Sequence, residues 1–181
     1  MLWFILFVVL VAVWFGVTYN TLVRLRNRTA NAWSQIDVQL KRRYDLIPNL
    51  VETVKGYASH ERETLENVIQ ARSRAQAASG PQEQAAAENF LTGALRQLFA
   101  LSEDYPELRA SEQFGELQQE LSETEDKVAV SRQIYNDTVL TFNNKVETIP
   151  SNIVAGVTGF KIKEYFEAGP EADDAPDVSF S

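Results

Sequence analysis

The sequence predicts an all-α protein: an N-terminal transmembrane helix followed by an elongated antiparallel up-and-down bundle of three or four helices. Three observations carry this expectation. Residues Met1 to Val23 contain no charged side chain. Beyond them, apolar residues recur alternately at intervals of three and four, the signature of one buried helix face. No stretch alternates with period two for a useful length, so strands are not expected.

The anchor comes first. As a helix, Leu2 to Val23 extends roughly 33 Å at ~1.5 Å per residue, enough to cross a hydrocarbon core of ~30 Å. Trp3 lies near one end and Tyr19 near the other, where aromatic rings favour the headgroup boundary, although Trp14 sits inside the run. A cleaved signal peptide would need a basic n-region, a shorter apolar core and a small-residue cleavage site. Residues 1–10 contain no basic side chain and no A-x-A-like triplet directly follows the apolar run, so a retained anchor over residues 1–23 is expected. Arg24, Arg26 and Arg28 follow the span directly, with no basic residue before it. By the positive-inside rule this basic flank faces the cytoplasm, giving a single-pass protein of the cell (inner) membrane with its bulk cytoplasmic.

The bundle is expected over residues 24–166. Thr29 or Asn31 offers a cap for a helix whose apolar stripe runs through Trp33, Ile36, Leu40, Ile47, Leu50, Val54 and Tyr57, with Arg43 its one polar member. Pro48 removes a helix hydrogen bond and crowds the preceding turn, so the helix either kinks there or restarts with Asp45 near its cap. The stripe keeps its phase across the proline, which favours a kinked continuation. Gly56 and Ser59 offer a second break, with Ser59 capping a helix through Glu63, Leu65, Val68 and Ile69 to about Ala78. Continuity to Ala78 would give three bundle helices; a break near Gly56 would give four.

Ser79-Gly80-Pro81 is the clearest interhelical turn. Ala87, Leu91, Ala94, Leu98 and Leu101 form the next stripe, and its many alanines favour helix and close approach. The longest helix is expected from about Leu108, with Phe114, Leu117, Leu121, Val128, Tyr135, Phe142, Val146 and Ile149 in one heptad register until Pro150. Short turns between long stripes place neighbours antiparallel. Residues 150–166 should fold back onto the bundle as a short, partly irregular element. Residues 167–181, with Pro170, Asp173, Asp174, Pro176 and Asp177, are expected to be a disordered acidic tail.

Composition narrows the function. With 181 residues and 45% hydrophobic side chains the chain supports one domain with a core, plus accessory segments. It has no cysteine, which excludes disulfides, thiolate zinc sites and cysteine nucleophiles. The net charge of −8 is unevenly spread: residues 24–62 hold eight Lys/Arg against four Asp/Glu, and residues 63–181 hold nine against twenty-one. A body this acidic argues against nucleic-acid binding.

Di-metal bundles need Glu-x-x-His pairs, but the single histidine, His60, is preceded at that spacing by Tyr57. His60-Glu61 does not begin an H-E-x-x-H site either, since Thr64 occupies the fifth position. No serine lies in a nucleophile-elbow context, and Gly156-Val157-Thr158-Gly159 lacks the lysine and preceding strand of a phosphate loop. No metal or cofactor is implied. The carboxylates at Glu103, Asp104, Glu107, Glu112, Glu116, Glu120, Glu123, Glu125 and Asp126, with Arg109 as their local counter-charge, suit a solvated helix face or a patch for a basic partner. Arg43 lies in the stripe of the first helix, and Arg132, Asn136 and Asn143 lie beside or on that of the last. In antiparallel helices these could meet Asp45, Asn49 or Glu52 in a polar layer, which would fix helix register or form a site.

The block Arg42 to Glu61, RRYDLIPNLVETVKGYASHE, followed by Tyr135-Asn136, Phe142-Asn143, Pro150-Ser151-Asn152, Gly159-Phe160 and Tyr165-Phe166, closely resembles the LemA family over nearly the whole chain. The resemblance implies a single N-terminal membrane segment and an antiparallel helical bundle, and it supplies no catalytic residues. Some members carry a basic N-terminus or a lipoprotein cysteine, and this chain has neither; their orientation is a poor guide here.

The expected function is therefore a membrane-anchored, non-enzymatic interaction or scaffold protein, held in the lipid bilayer and assembling with itself or with other membrane proteins. Two alternatives stand beside it. One is a hydrolase or metal-dependent enzyme using Arg43, Asp45, Asn136 and Asn143; the other is a signal transducer relaying strain through the Pro48 helix to a partner.

Overall fold

The computed structural model describes residues 1–167, and the tail expected from residue 168 onward lies outside them. Six α-helices follow one another: α1 (Leu2–Tyr57), α2 (Arg62–Ala77), α3 (Pro81–Ala100), α4 (Pro106–Arg109), α5 (Glu112–Glu147) and α6 (Ser151–Thr158), with a 3-10 turn at Leu101–Glu103. Among the described residues there is no strand. The protein is an all-α bundle.

The first difference from expectation is that the anchor and the first bundle helix are one element. No break separates residue 23 from the Trp33 stripe, and α1 runs for 56 residues, longer than the 36 of α5. Thr29 is consequently not a cap. Its hydroxyl donates to the Leu25 carbonyl at 3.1 Å, the habit of a threonine inside a helix. The N-terminal part of α1 is long and apolar enough to cross a membrane.

The helix also passes through Pro48 without interruption. Proline has no N–H, so the Tyr44 carbonyl four residues earlier loses its intrahelical donor. Arg72 of α2 supplies a substitute: its Nε donates to that carbonyl at 2.8 Å. A tertiary hydrogen bond thus fills the gap that the proline opens.

Helix α1 ends at Tyr57, which gives the version with four long helices. Tyr57, expected in the stripe, is exposed, and the chain turns so that Ala58 takes the inward place. Ser59 does not cap the next helix, whose N-cap is Glu61 with no side-chain cap bond. Ile69 faces outward, while Leu65, Val68, Ala71 and Ala75 form the buried face of α2. Gly80 takes a φ of 85°, a conformation costly for other residues, and turns the chain into α3 with Pro81 at its start. At the other end of α3, Leu101 leaves the expected stripe for the half-buried 3-10 turn. Helix α5 starts at Glu112 rather than near Leu108, which belongs to the one-turn α4. Phe114, Leu117, Leu121, Val128, Tyr135 and Phe142 are buried as the heptad requires. Ile149 is exposed, because α5 ends at Glu147 and the register ends with it.

Packing divides the described chain into two compact units, Met1–Ile36 with Ser131–Tyr165, and a second built on Asp37–Val130. In the first, α1 and α5 run antiparallel. Leu22 packs with Phe142, Thr29 donates to the Thr138 carbonyl at 3.5 Å, and Trp33 lies 5.3 Å from Tyr135. After α6, Gly159 adopts a left-handed φ of 76° and the Phe160 N–H closes back on the Ala155 carbonyl at 3.0 Å. This places Phe160 against Tyr19, Phe142 and the Arg26 guanidinium, at 6.0, 6.2 and 5.5 Å. In the second unit α2 and α3 form a helical hairpin, with the Arg74 guanidinium 5.5 Å from the Phe90 ring, and Phe99 packs 6.1 Å from Phe114.

Candidate functional site

Arg43 is the polar residue that the stripe singles out, and it is buried, with 2% exposure. Its Nη1 donates to Glu88 Oε2 at 3.0 Å and its Nη2 to Thr92 Oγ1 at 2.9 Å, both on α3. The exposed Glu125 carboxylate of α5 lies 3.7 Å from Nη2. The other Glu88 oxygen accepts the Tyr44 hydroxyl. Gln84, one turn before Glu88, donates to the Tyr44 oxygen at 2.8 Å and to the Ala75 carbonyl at 3.1 Å. Tyr44 is thus tied at both ends, through its ring hydroxyl to α3 and through its carbonyl to Arg72 of α2.

The electrostatics follow from burial. Loss of water around Glu88 pushes its carboxyl above the usual range, opposed by the Tyr44 hydrogen bond, the Arg43 charge and Gln84. Tyr44 is pushed far above the ordinary phenol range by burial and by the neighbouring Glu88 carboxylate. An ion pair in such surroundings loses much of its attraction to desolvation, so the net contribution of the pair to stability is small. Two buried atoms of this unit, Arg43 Nε and Gln39 Oε1 one turn earlier, have no protein partner.

The other proposed members of the polar layer lie elsewhere. Asp45, Asn49 and Glu52 are exposed, and Glu52 is 3.9 Å from Lys55. Glu52 and Lys55 line a surface cleft of about 480 Å³ together with Arg62, Glu66, Val51 and Leu65. Arg132 is exposed and Asn136 is half-buried. Asn143 is buried and clasps the backbone of Lys163: its Nδ2 donates to the carbonyl at 2.9 Å, and its Oδ1 accepts the N–H at 2.8 Å. One side chain thereby does for an isolated residue what a neighbouring strand would do. Tyr135 donates to the Glu164 carbonyl at 3.0 Å, and these two contacts hold residues 163–164 on α5. Burial and the nearby Glu164 push the Tyr135 phenol up to about 12.

Arg24, Arg26 and Arg28 are exposed along α1. His60 is exposed in the turn before α2. The acidic run has more counter-charges than Arg109: Lys127 lies 3.9 Å from Glu123, and Arg43 reaches Glu125. Among the described residues no three His, Asp or Glu side chains converge as a metal centre would require.

The residues that sequence reasoning missed are Tyr44, Arg72, Gln84, Glu88 and Thr92. A signal for two of them exists: Gln84, Glu88, Leu91 and Leu95 are spaced four, three and four apart, which puts two polar residues on a buried stripe. Arg72 and Thr92 carry no comparable mark.

The model of the LemA family matches residues 32–180. Magnetosome protein MamQ 1 of Paramagnetospirillum magneticum is 27% identical, with 86% of this chain and 66% of the relative covered. Magnetosome protein MamQ of Magnetospirillum gryphiswaldense is 24% identical with the same coverage. Protein LemA of Metamycoplasma hominis is 32% identical over 160 residues, covering 84% of this chain and 72% of the relative. The chain spans about two thirds of the length of the MamQ relatives, 66%. By the extent of the family match and its identity with the Metamycoplasma protein, the chain belongs to the LemA family.

Proposed function

We propose that this protein is a membrane-anchored, non-enzymatic module that holds other proteins, or further copies of itself, at the bilayer. The observation that carries this reading is the buried Arg43–Glu88 cluster. Its side chains are 3% and 6% exposed, and the carboxylate and both terminal guanidinium nitrogens are engaged by Tyr44, Gln84, Thr92 and each other. Such groups specify packing rather than wait for a substrate. Helical faces carrying many charges are then the means of recognition, and the apolar run at the start of α1 is the tether.

Proximity labelling in intact cells, followed by size analysis in mild detergent, tests the proposal. Reproducible protein neighbours or a defined oligomer are expected; only monomer with no reproducible neighbour would refute it. Orientation is a separate proposal. The arginines after the span favour a cytoplasmic body. Protease added outside spheroplasts should leave residues beyond Arg28 intact, and their digestion with the membrane sealed would reverse the assignment.

A further inference from the structure

Helix α6 is apolar on both faces. Val154 and Ala155 are buried with Leu22 and Phe142, and Phe15, Leu25, Val146 and Phe160 pack around them. On the other side Ile153 and Val157, one turn apart, are 60% and 75% exposed, and Ile149, a turn before, is 78% exposed. No charged side chain occurs from Thr148 to Phe160. Its polar residues, Ser151, Asn152 and Thr158, are buried or half-buried, so the exposed side is an uncharged apolar face of the kind that marks a protein or membrane contact.

The depth of α6 follows from the anchor. A hydrocarbon core of ~30 Å takes about 20 residues of helix at ~1.5 Å each, so a span entered at Leu2 ends level with Leu22. Leu22 shares one buried cluster with Val154 and Ala155. The side chains of α1 before Phe15 are all exposed, as a lipid-facing segment would be. Charge agrees with this depth: exposed Arg24, Arg26 and Arg28 follow the span on α1, and exposed Lys161 follows α6.

We propose that α6 is a membrane-interface element, with Ile149, Ile153 and Val157 seated at the acyl–headgroup boundary of the leaflet where α1 leaves the bilayer. Basic residues beside it face anionic headgroups. This rests on the reading of α1 as a span. An interfacial helix of this kind sits ~5–10 Å into the boundary region. The protein would then hold the bilayer at two points, which fixes the tilt and rotation of α1 where it leaves the membrane.

The absence of cysteine makes the test direct. Single substitutions Ile153→Cys and Val157→Cys in the full chain, with Leu10→Cys and Val130→Cys as references, are labelled with an environment-sensitive fluorophore. The protein is reconstituted in phosphatidylcholine–phosphatidylglycerol vesicles carrying nitroxide lipids, labelled either near the glycerol or near the acyl-chain end. The expected result is blue-shifted emission at 153 and 157 with strong loss to the shallow nitroxide, strong loss to the deep nitroxide at 10, and no loss at 130. Aqueous emission at 153 and 157 with 10 still quenched overturns the proposal and leaves the span intact. Blue-shifted emission at 153 and 157 without quenching by either lipid means that protein covers the face, and also overturns it. Aqueous emission at 10 removes the span and the proposal together.

Discussion

Arg72 substitutes for the hydrogen bond that Pro48 cannot make, and this has a measurable consequence. In Arg72→Met the Tyr44 carbonyl loses a guanidinium donor at 2.8 Å, while Pro48 still offers no N–H. A hydrogen bond to a charged group contributes about 1.5–3 kcal/mol, and that is the expected loss. Pro48→Ala restores an N–H four residues from Tyr44. It should stabilise α1, by less than the ~3 kcal/mol that a helix-interior proline typically costs, because Arg72 already satisfies the carbonyl. In the Pro48→Ala background the carbonyl has its own helical donor, so Arg72→Met should cost under about 1 kcal/mol. The coupling between the two changes is then on the order of 1–2 kcal/mol. Denaturant unfolding of the four proteins in detergent micelles, followed by circular dichroism, measures the cycle. Equal cost of Arg72→Met in both backgrounds would refute the reasoning.

Three further expectations are independent of that one. Arg43→Met or Glu88→Leu alone should destabilise by about 3–5 kcal/mol, because each strands a buried charge. The triple change Arg43→Met, Tyr44→Phe and Glu88→Leu should cost far less than the summed single changes, and unfolding midpoints decide between the two outcomes. Asn143→Asp removes the donor to the Lys163 carbonyl at 2.9 Å, so amide exchange around residues 160–165 should accelerate, with a loss of about 1–3 kcal/mol. The Tyr135 phenol, held up to about 12 in the folded protein, ionises near 10 when unfolded. Its contribution is fully present below pH ~10 and disappears as pH rises through about 12, so stability should fall across that window and fall less in Tyr135→Phe.

Periodicity made the helices legible, because burial of one face imposes the same spacing on any sequence that packs there. It carried the stripe through Pro48 correctly, but Arg72 is distant in sequence, and nothing local marks it as the substitute donor. Arg43 stood out as the polar residue in an apolar stripe. Its partners did not, since Glu88 and Thr92 come from α3 and pairing across helices depends on their azimuth and offset. The supposed cap at Thr29 failed for a related reason: the same side chain that caps a helix start can bond the preceding turn within a helix, and continuity decides which. Ile149 and Tyr57 continue the registers of their stripes but lie past the end of α5 and at the last residue of α1, where the chain turns and the spacing no longer decides which side is buried. Asn143 was legible as a special position, though its use as a clasp for the Lys163 backbone required the fold-back to be seen.

The most direct measurement compares protein neighbours captured in cells by the native chain with those captured by the Arg43→Met, Tyr44→Phe, Glu88→Leu protein, after both are shown to fold. If the buried cluster is architecture and recognition lies on the outer faces, the two neighbour sets coincide. A folded triple variant that loses the neighbours or the cellular phenotype would contradict this, and would place the function in the cluster itself.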